Sequence, residues 1–173
     1  MLGLSKLESG ETQLHPTAFD LKDSVLTAAF MFESQFEEKG IALEGLEDLP
    51  SLPIVADGDL LHQAIYNLIE NSVKYTPHGG TVALKAWQEN NTLHLTVHNT
   101  GEGILPEHLP FVFDRFYKVD QSRGADKNSL GLGLYLVKTI INLHNGQITV
   151  RSKAGSFCEF ELALPQTSAE KSQ

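Results

Sequence analysis

The chain is poor in sulfur and in positive charge. One of its 173 residues is cysteine, Cys158, which excludes an internal disulfide framework and fits a reducing compartment. Lysine and arginine number 13 against 22 aspartates and glutamates, a net charge of −9. That argues against a nucleic-acid or anionic-lipid surface, since both need a basic footprint. Long hydrophobic runs are missing. The longest, around Val25–Phe32, is too short to span a bilayer, and no signal peptide is read. Internal repeats and low-complexity linkers are also absent. What is there is 41% hydrophobic residues, in a length that suits one α/β domain with a sizeable core.

Met1, Leu4 and Leu7 fall at helical spacing, with Gly10 as a stop. "LHPTAFDL" reads as a short extended segment. Asp20 then caps a helix expected over 21–39, with Val25, Ala28, Ala29, Phe32 and Phe36 on one side and Gly40 at its end. "SLPIVAD" is a short strand, and Asp57 or Asp59 caps a helix over about 59–75. "TVALKAW" and "LHLTVHN" alternate and form a hairpin around "QENN". A loop-rich region over about 99–130 follows. "GLGLYLVKTIINLHNG" is a helix with an Asn-Gly stop, and "QITVRS" and "CEFELALP" are strands. Regular βα alternation is lacking, so a doubly wound fold is not expected. The order predicts an α+β sandwich with one face of the sheet covered by three helices.

"NLIENSVKYTP" raises the functional question. On a wheel of ~100° per residue, Leu61, Ala64, Ile65, Leu68, Ile69 and Ser72 share one side. Gln63, Asn67, Glu70, Asn71 and Lys74 fall in another sector, roughly 100° wide. Most polar stripes are solvated faces, but those favour Glu and Lys; Asn is a mediocre helix former. Its neutral carbonyl oxygen suits a hard cation such as Mg²⁺ whose charge is balanced by phosphates. Lys74, one turn on, could meet the same phosphates.

Two glycine pairs follow. Gly101 and Gly103 bracket Glu102 directly after a strand, where glycine permits positive φ and close approach of backbone to a ligand. Gly131 and Gly133 open a helix, where free N–H groups can receive phosphate. Each pair is equally compatible with a plain turn or helix entry. Between them, Phe113, Phe116 and Tyr117 read either as the plug of an anchored loop or as the hinge of a lid. Arg115, Lys118, Arg123 and Lys127 would make such a lid positive.

Taken together, these motifs resemble the catalytic ATP-binding domain of bacterial two-component sensor histidine kinases. The N box "DLLHQAIYNLIENSVKYTP", the first glycine box "NTGEGI", the F box "FDRFY" and the second glycine box "GLGL" stand in family order, and the resemblance covers about 150 residues. It implies the Bergerat ATP-binding fold, a two-layer sandwich with a mixed, mostly antiparallel sheet of about five strands under three helices. Residues 1–13 would be the end of a dimerisation helix, 14–165 the catalytic domain and 166–173 a disordered tail.

The resemblance also implies roles. Asn71 would ligate Mg²⁺, with Asn67 on the same face. Lys74 would contact phosphate, Tyr75 would pack near adenine, and Asn99 would bind the adenine amino group. Gly101, Gly103, Ile104, Leu132 and Leu134 would line the nucleotide. Tyr117 and Lys118 would lie near it, Arg115 would approach the transferring phosphate, and Gly131 and Gly133 would close the lid. Hydrolytic relatives carry glutamate at the position of Asn67. An amide cannot serve as general base, so Asn67 points to phosphoryl transfer rather than hydrolysis.

Asn99 departs from the family's usual aspartate, and the second glycine box lacks its leading glycines. Those departures leave two rivals: a pseudokinase that binds nucleotide or docks a partner, and, less favoured, a gyrase-type ATPase. The acceptor histidine would lie on an absent dimerisation domain, since none of His15, His62, His94, His98 and His144 has a suitable setting. Family habit implies a homodimeric membrane receptor with this domain on the cytoplasmic side and a response regulator as partner.

Overall fold

A computed structural model describes residues 2–9, 12–117 and 133–166. Five α-helices alternate irregularly with seven strands among these residues. After α1 (Leu2–Ser9) and β1 (Thr17–Asp20), Asp20 caps α2 (Leu21–Met31), and α3 (Glu33–Lys39) follows. The helix expected over 21–39 is thus broken. At Phe32 the backbone tightens into an i−3 turn to Ala29, at φ −107° and ψ 12°. Phe32 itself is buried and lies against the ring of Tyr66, so the break keeps the apolar face in register. Gly40 ends α3 in the left-handed region, as a C-terminal glycine should.

The main sheet has the order β2-β4-β5-β7-β6, from β2 (Ala42–Glu44), β4 (Thr81–Glu89), β5 (Thr92–Thr100), β6 (Gln147–Lys153) and β7 (Phe157–Pro165). All its pairings are antiparallel except that of β2 with β4. β1 pairs separately with β3 (Pro53–Ala56). The expected hairpin forms with Asn90 and Asn91 both at positive φ, the two-residue turn whose twist matches the strands. β2 was not foreseen; three residues at a parallel edge carry too little pattern to read.

α4 (Gly58–Tyr75) packs between α2 and α5 (Gly133–Leu143) and over β5. Of the two aspartates proposed as its cap, Asp57 serves: its Oδ1 accepts the Leu60 N–H at 3.2 Å. The face read as apolar is buried: Leu61, Ala64, Ile65, Leu68, Ile69 and Ser72. Each fully buried Leu or Ile there contributes about 1.5–3 kcal/mol. Ser72 is tolerated because its hydroxyl donates to Ile69 O at 2.6 Å. His144 joins the two helices. Its Nδ1–H donates to Ile140 O at 2.9 Å and its Nε2 accepts the Asp57 N–H at 3.1 Å. Both nitrogens are therefore spent on structure. Gln166, expected to open a disordered tail, is instead held by β3 and the β4–β5 turn. Its N–H donates to Asn91 O at 2.9 Å, and its carbonyl accepts from the Val55 N–H at 3.1 Å. Residues 167–173 lie outside the described ones.

Asp20 ties α2 to the β1–β3 ribbon. Its Oδ1 accepts from the N–H groups of Lys22 at 3.0 Å and Leu52 at 2.7 Å, and its Oδ2 accepts the Ser51 hydroxyl at 2.6 Å. Burial pushes its carboxyl up, but the bonds from Ser51, Leu52 and Lys22 outweigh that and hold it below the ordinary 3.8. A folded value below the unfolded one gives stability that is complete above the unfolded value and fades as pH falls through the folded one. Asp20→Ala is expected to cost about 1–2 kcal/mol at pH 7. The gap to the parent should narrow when urea unfolding is repeated near pH 3. An equal gap at both pH values would remove the carboxylate charge from this account.

Candidate functional site

The polar stripe of α4 sits on a half-buried flank of the helix. Asn67 and Asn71 are half-buried, whereas Gln63, Glu70 and Lys74 are exposed. Neither asparagine side chain makes a hydrogen bond to another described residue. Two partly desolvated amides one turn apart, with oxygens that accept from no described residue, are of a kind that could ligate a hard cation. Glu70 lies on the exposed side of the pair, away from the half-buried position a base would need.

The stripe leads to the end of α4, where Tyr75 is 56% exposed. There the chain meets the end of β5. Asn99 follows Leu93, Leu95 and Val97 on the helix side of the sheet and is 3% exposed. Its Nδ2 donates to Thr100 O at 3.0 Å, while its Oδ1 accepts from no described residue. A buried, unsatisfied acceptor is a pointer to a ligand donor.

The loop after β5 is clipped to the β6–β7 turn. Gly101 N–H donates to Ser156 O at 3.0 Å and Ile104 N–H to Ser152 Oγ at 2.7 Å; Ser152 in turn donates to Phe157 O at 2.7 Å. Gly101 and Gly103 therefore approach the protein's own backbone. A Cβ on Gly101 would lie 2.9 Å from Tyr75 O, and one on Gly103 would lie 2.5 Å from Lys153 O. With its amides at 101 and 104 committed, this loop is a wall rather than a phosphate cradle. Nothing in the sequence marked Ser152 for that task. Ile104 and Leu134, both read as lining residues, are half-buried against the core.

The F box divides. Phe113 meets Phe160 edge-on at 5.9 Å and acts as the plug. Tyr117 packs on Phe111 at 5.8 Å, and its hydroxyl bonds to His108 Nδ1. Phe116 is no plug: it has φ 65° and is 54% exposed. Arg115 donates to Glu8 on α1 at 2.7 Å. Glu8 was not singled out by sequence; its partner lies 107 residues away, beyond any local signal. Gly133 is the first residue of α5, and a Cβ there would meet no described atom within 4 Å. Lys118, Arg123, Lys127, Gly131 and Leu132 lie outside the described residues.

Other candidates resolve into structure. His94 bonds to Glu161 at 3.2 Å and stacks on Trp87, and His98 bonds to Glu159 at 3.1 Å and stacks on Phe157. Among the described residues no group of three or more His, Cys, Asp or Glu could hold a metal. Burial, aided by the Glu159 charge, pushes the Cys158 thiol up to about 12, so it is no nucleophile. No helix among the described residues is long and apolar enough to cross a membrane.

Residues 56–168 match the family described as histidine kinase-, DNA gyrase B- and HSP90-like ATPase. Sensor histidine kinase CusS of Escherichia coli K12 is 33% identical over 165 residues, which are 95% of this chain and 34% of that protein. Sensor protein SrrB of Staphylococcus aureus NCTC 8325 is 43% identical over 110 residues, 64% of this chain and 19% of that protein. The chain therefore spans about a third of CusS and less of SrrB. Full-length ShkA, solved with AMPPNP, superposes with a TM-score of 0.80 at 26% identity, covering 95% of this chain and 34% of that one. The nucleotide-free catalytic domain of histidine kinase ThkA matches in fold, with a TM-score of 0.78 at 21% identity over 90% of this chain and 99% of that one. The chain belongs to the histidine kinase-, DNA gyrase B- and HSP90-like ATPase family, and within it is a catalytic domain of the kind carried by sensor histidine kinases.

Proposed function

We propose that the chain binds Mg·ATP and presents the γ-phosphate to a histidine on a dimerisation domain, in a homodimeric receptor that signals to a response regulator from the cytoplasmic side of a membrane. The observation that carries this reading is the pair of half-buried amides, Asn67 and Asn71, on one flank of α4, neither bonded to another described side chain or backbone group. Asn71 would ligate the cation, with Asn67 beside it. The bound Mg²⁺ would offset charge on the phosphates. Lys74 would add a point charge there, and Arg115 would stabilise the transferring group. The base would lie between Tyr75, Asn99, the 101–104 wall and Leu132. Tyr117, Lys118, Leu134 and the glycines 131 and 133 would complete the enclosure. As the bond from phosphorus to ADP breaks, the new bond forms to an imidazole nitrogen of the acceptor. With an amide at 67 in place of a carboxylate, this chain has no base there to activate water, which favours transfer over a gyrase-type hydrolysis.

The test is calorimetric titration of a non-hydrolysable ATP analogue with and without Mg²⁺. Phosphohistidine is then assayed after a dimerisation domain is supplied in trans. Mg²⁺-dependent binding followed by phosphohistidine is the expected result. Binding without transfer would favour the pseudokinase, and fast steady-state hydrolysis would favour the clamp ATPase.

Asn99 offers a sharper readout. Asn99→Asp would place a carboxylate where Nδ2 now donates to Thr100 O. The ligand-free protein should lose about 1–3 kcal/mol through that buried repulsion. Adenine nucleotide should bind several-fold tighter, because the adenine amino group would donate to a charged acceptor. Unchanged ATP affinity would refute the assignment of Asn99 to the adenine amino group.

A further inference from the structure

Arg115 is engaged on the side of α1. Its Nη1 donates to Glu8 Oε2 at 2.7 Å, and the same oxygen accepts the Tyr135 hydroxyl at 3.0 Å. The guanidinium also lies over the rings of Phe116, at 5.0 Å, and Tyr135, at 5.9 Å. Glu8 is held in place by its neighbour: Leu7 is 6% exposed and joins the main core, and α1 packs on α5. A cavity of about 560 Å³ opens beside this seam, lined by Leu7, Glu8, Phe113, Arg115, Tyr135 and Lys138 among others. α1, the F box and α5 thus converge on one carboxylate oxygen.

We propose that Glu8 is a positioning residue for Arg115, through which the placement of α1 decides whether the F-box arginine is available to a phosphate. The inference rests on the nucleotide-binding reading. A guanidinium grips phosphate with its fork, and the Nη1 donor used on Glu8 is one arm of that fork. The pair is partly exposed, at 45% and 24% for the two side chains, so it biases Arg115 without locking it. The bias depends on how α1 is seated. A turn of the helix by one residue, ~100°, would lift Leu7 out of the core and carry Glu8 off Arg115 in the same movement. The observed setting is docked, with Arg115 held; the proposal adds an undocked one in which Arg115 is released.

The experiment measures affinities of ADP and of a non-hydrolysable ATP analogue, with Mg²⁺, for the whole chain and for Glu8→Gln, Arg115→Ala and the double variant. Glutamine keeps the size of Glu8 and a hydrogen-bonding oxygen for Tyr135 while removing the charge. Glu8→Gln is expected to raise the ATP-over-ADP preference about two- to fivefold. The double variant should match Arg115→Ala alone, because Glu8 acts only through Arg115. A merely structural Glu8 would shift both nucleotides together. Binding with an unchanged preference in Glu8→Gln, or a gain that survives Arg115→Ala, would overturn the positioning role and leave the nucleotide site standing. Absence of nucleotide binding in every variant would overturn the nucleotide reading, and the positioning role with it.

Discussion

Asn71→Ala is expected to abolish most Mg²⁺-dependent binding of an ATP analogue while leaving the fold untouched. The two halves of that result argue together. Asn71 is half-buried on α4 and bonds to no other described residue, so alanine removes no hydrogen bond to one of them. Alanine is also the better helix former, by roughly half a kcal/mol, so the melting temperature should hold or rise slightly. An asparagine kept for structure would give the opposite pattern. The expected loss in affinity is about 10- to 100-fold, the equivalent of one contact to a charged group. It should appear only with Mg²⁺ present. Asn71→Asp keeps an oxygen for the cation and should lose far less. If Asn71→Ala titrates like the parent with Mg²⁺, the stripe is a solvated face and the cation binds elsewhere.

Local chemistry was the legible part of this chain. The Asp20 cap, a cap at Asp57 or Asp59, the hairpin turn within "QENN" and the apolar face of α4 each depend on neighbours within a few positions; each is present, with Asp57 as the cap and Asn90 and Asn91 at positive φ. The four ordered motifs carried the family, because their spacing is a long-range pattern held in one string. Contacts between distant segments were not legible. Ser152 clips Ile104 from 48 residues away, and the three-residue strand β2 exists only because β4 lies beside it. The break at Phe32 also escaped, since a single i−3 turn preserves the apolar spacing that the periodicity reads. Glu8 carried no signal in the sequence. Its meaning comes from Arg115 and Tyr135, 107 and 127 residues on.

Gly103→Ala and Gly133→Ala should fail in opposite ways, although both positions belong to glycine boxes. At Gly103 the backbone has φ +66°, and an added Cβ would stand 2.5 Å from Lys153 O and 2.9 Å from Phe157 O. Neither oxygen is the end of a flexible side chain. Phe157 O already accepts from Ser152, whose hydroxyl holds the Ile104 N–H, so a shift there unpicks the whole clip. Positive φ and backbone overlap together are expected to cost about 2–4 kcal/mol. That corresponds to a fall in melting temperature of roughly 5–15 °C for a chain of this length. At Gly133 an added methyl group would meet no described atom within 4 Å, and the residue starts α5 without positive φ. Alanine there should leave the ligand-free protein as stable or more so, by up to about 1 kcal/mol. The proposed nucleotide site puts phosphates at the start of α5. Gly133→Ala should therefore weaken Mg·ATP about tenfold or more, since the methyl group occupies the ground where backbone and phosphate would meet. Thermal unfolding and calorimetry on the two variants separate the causes. A stable Gly103→Ala protein would refute the clip, and a Gly133→Ala protein that binds nucleotide normally would move the phosphates away from α5.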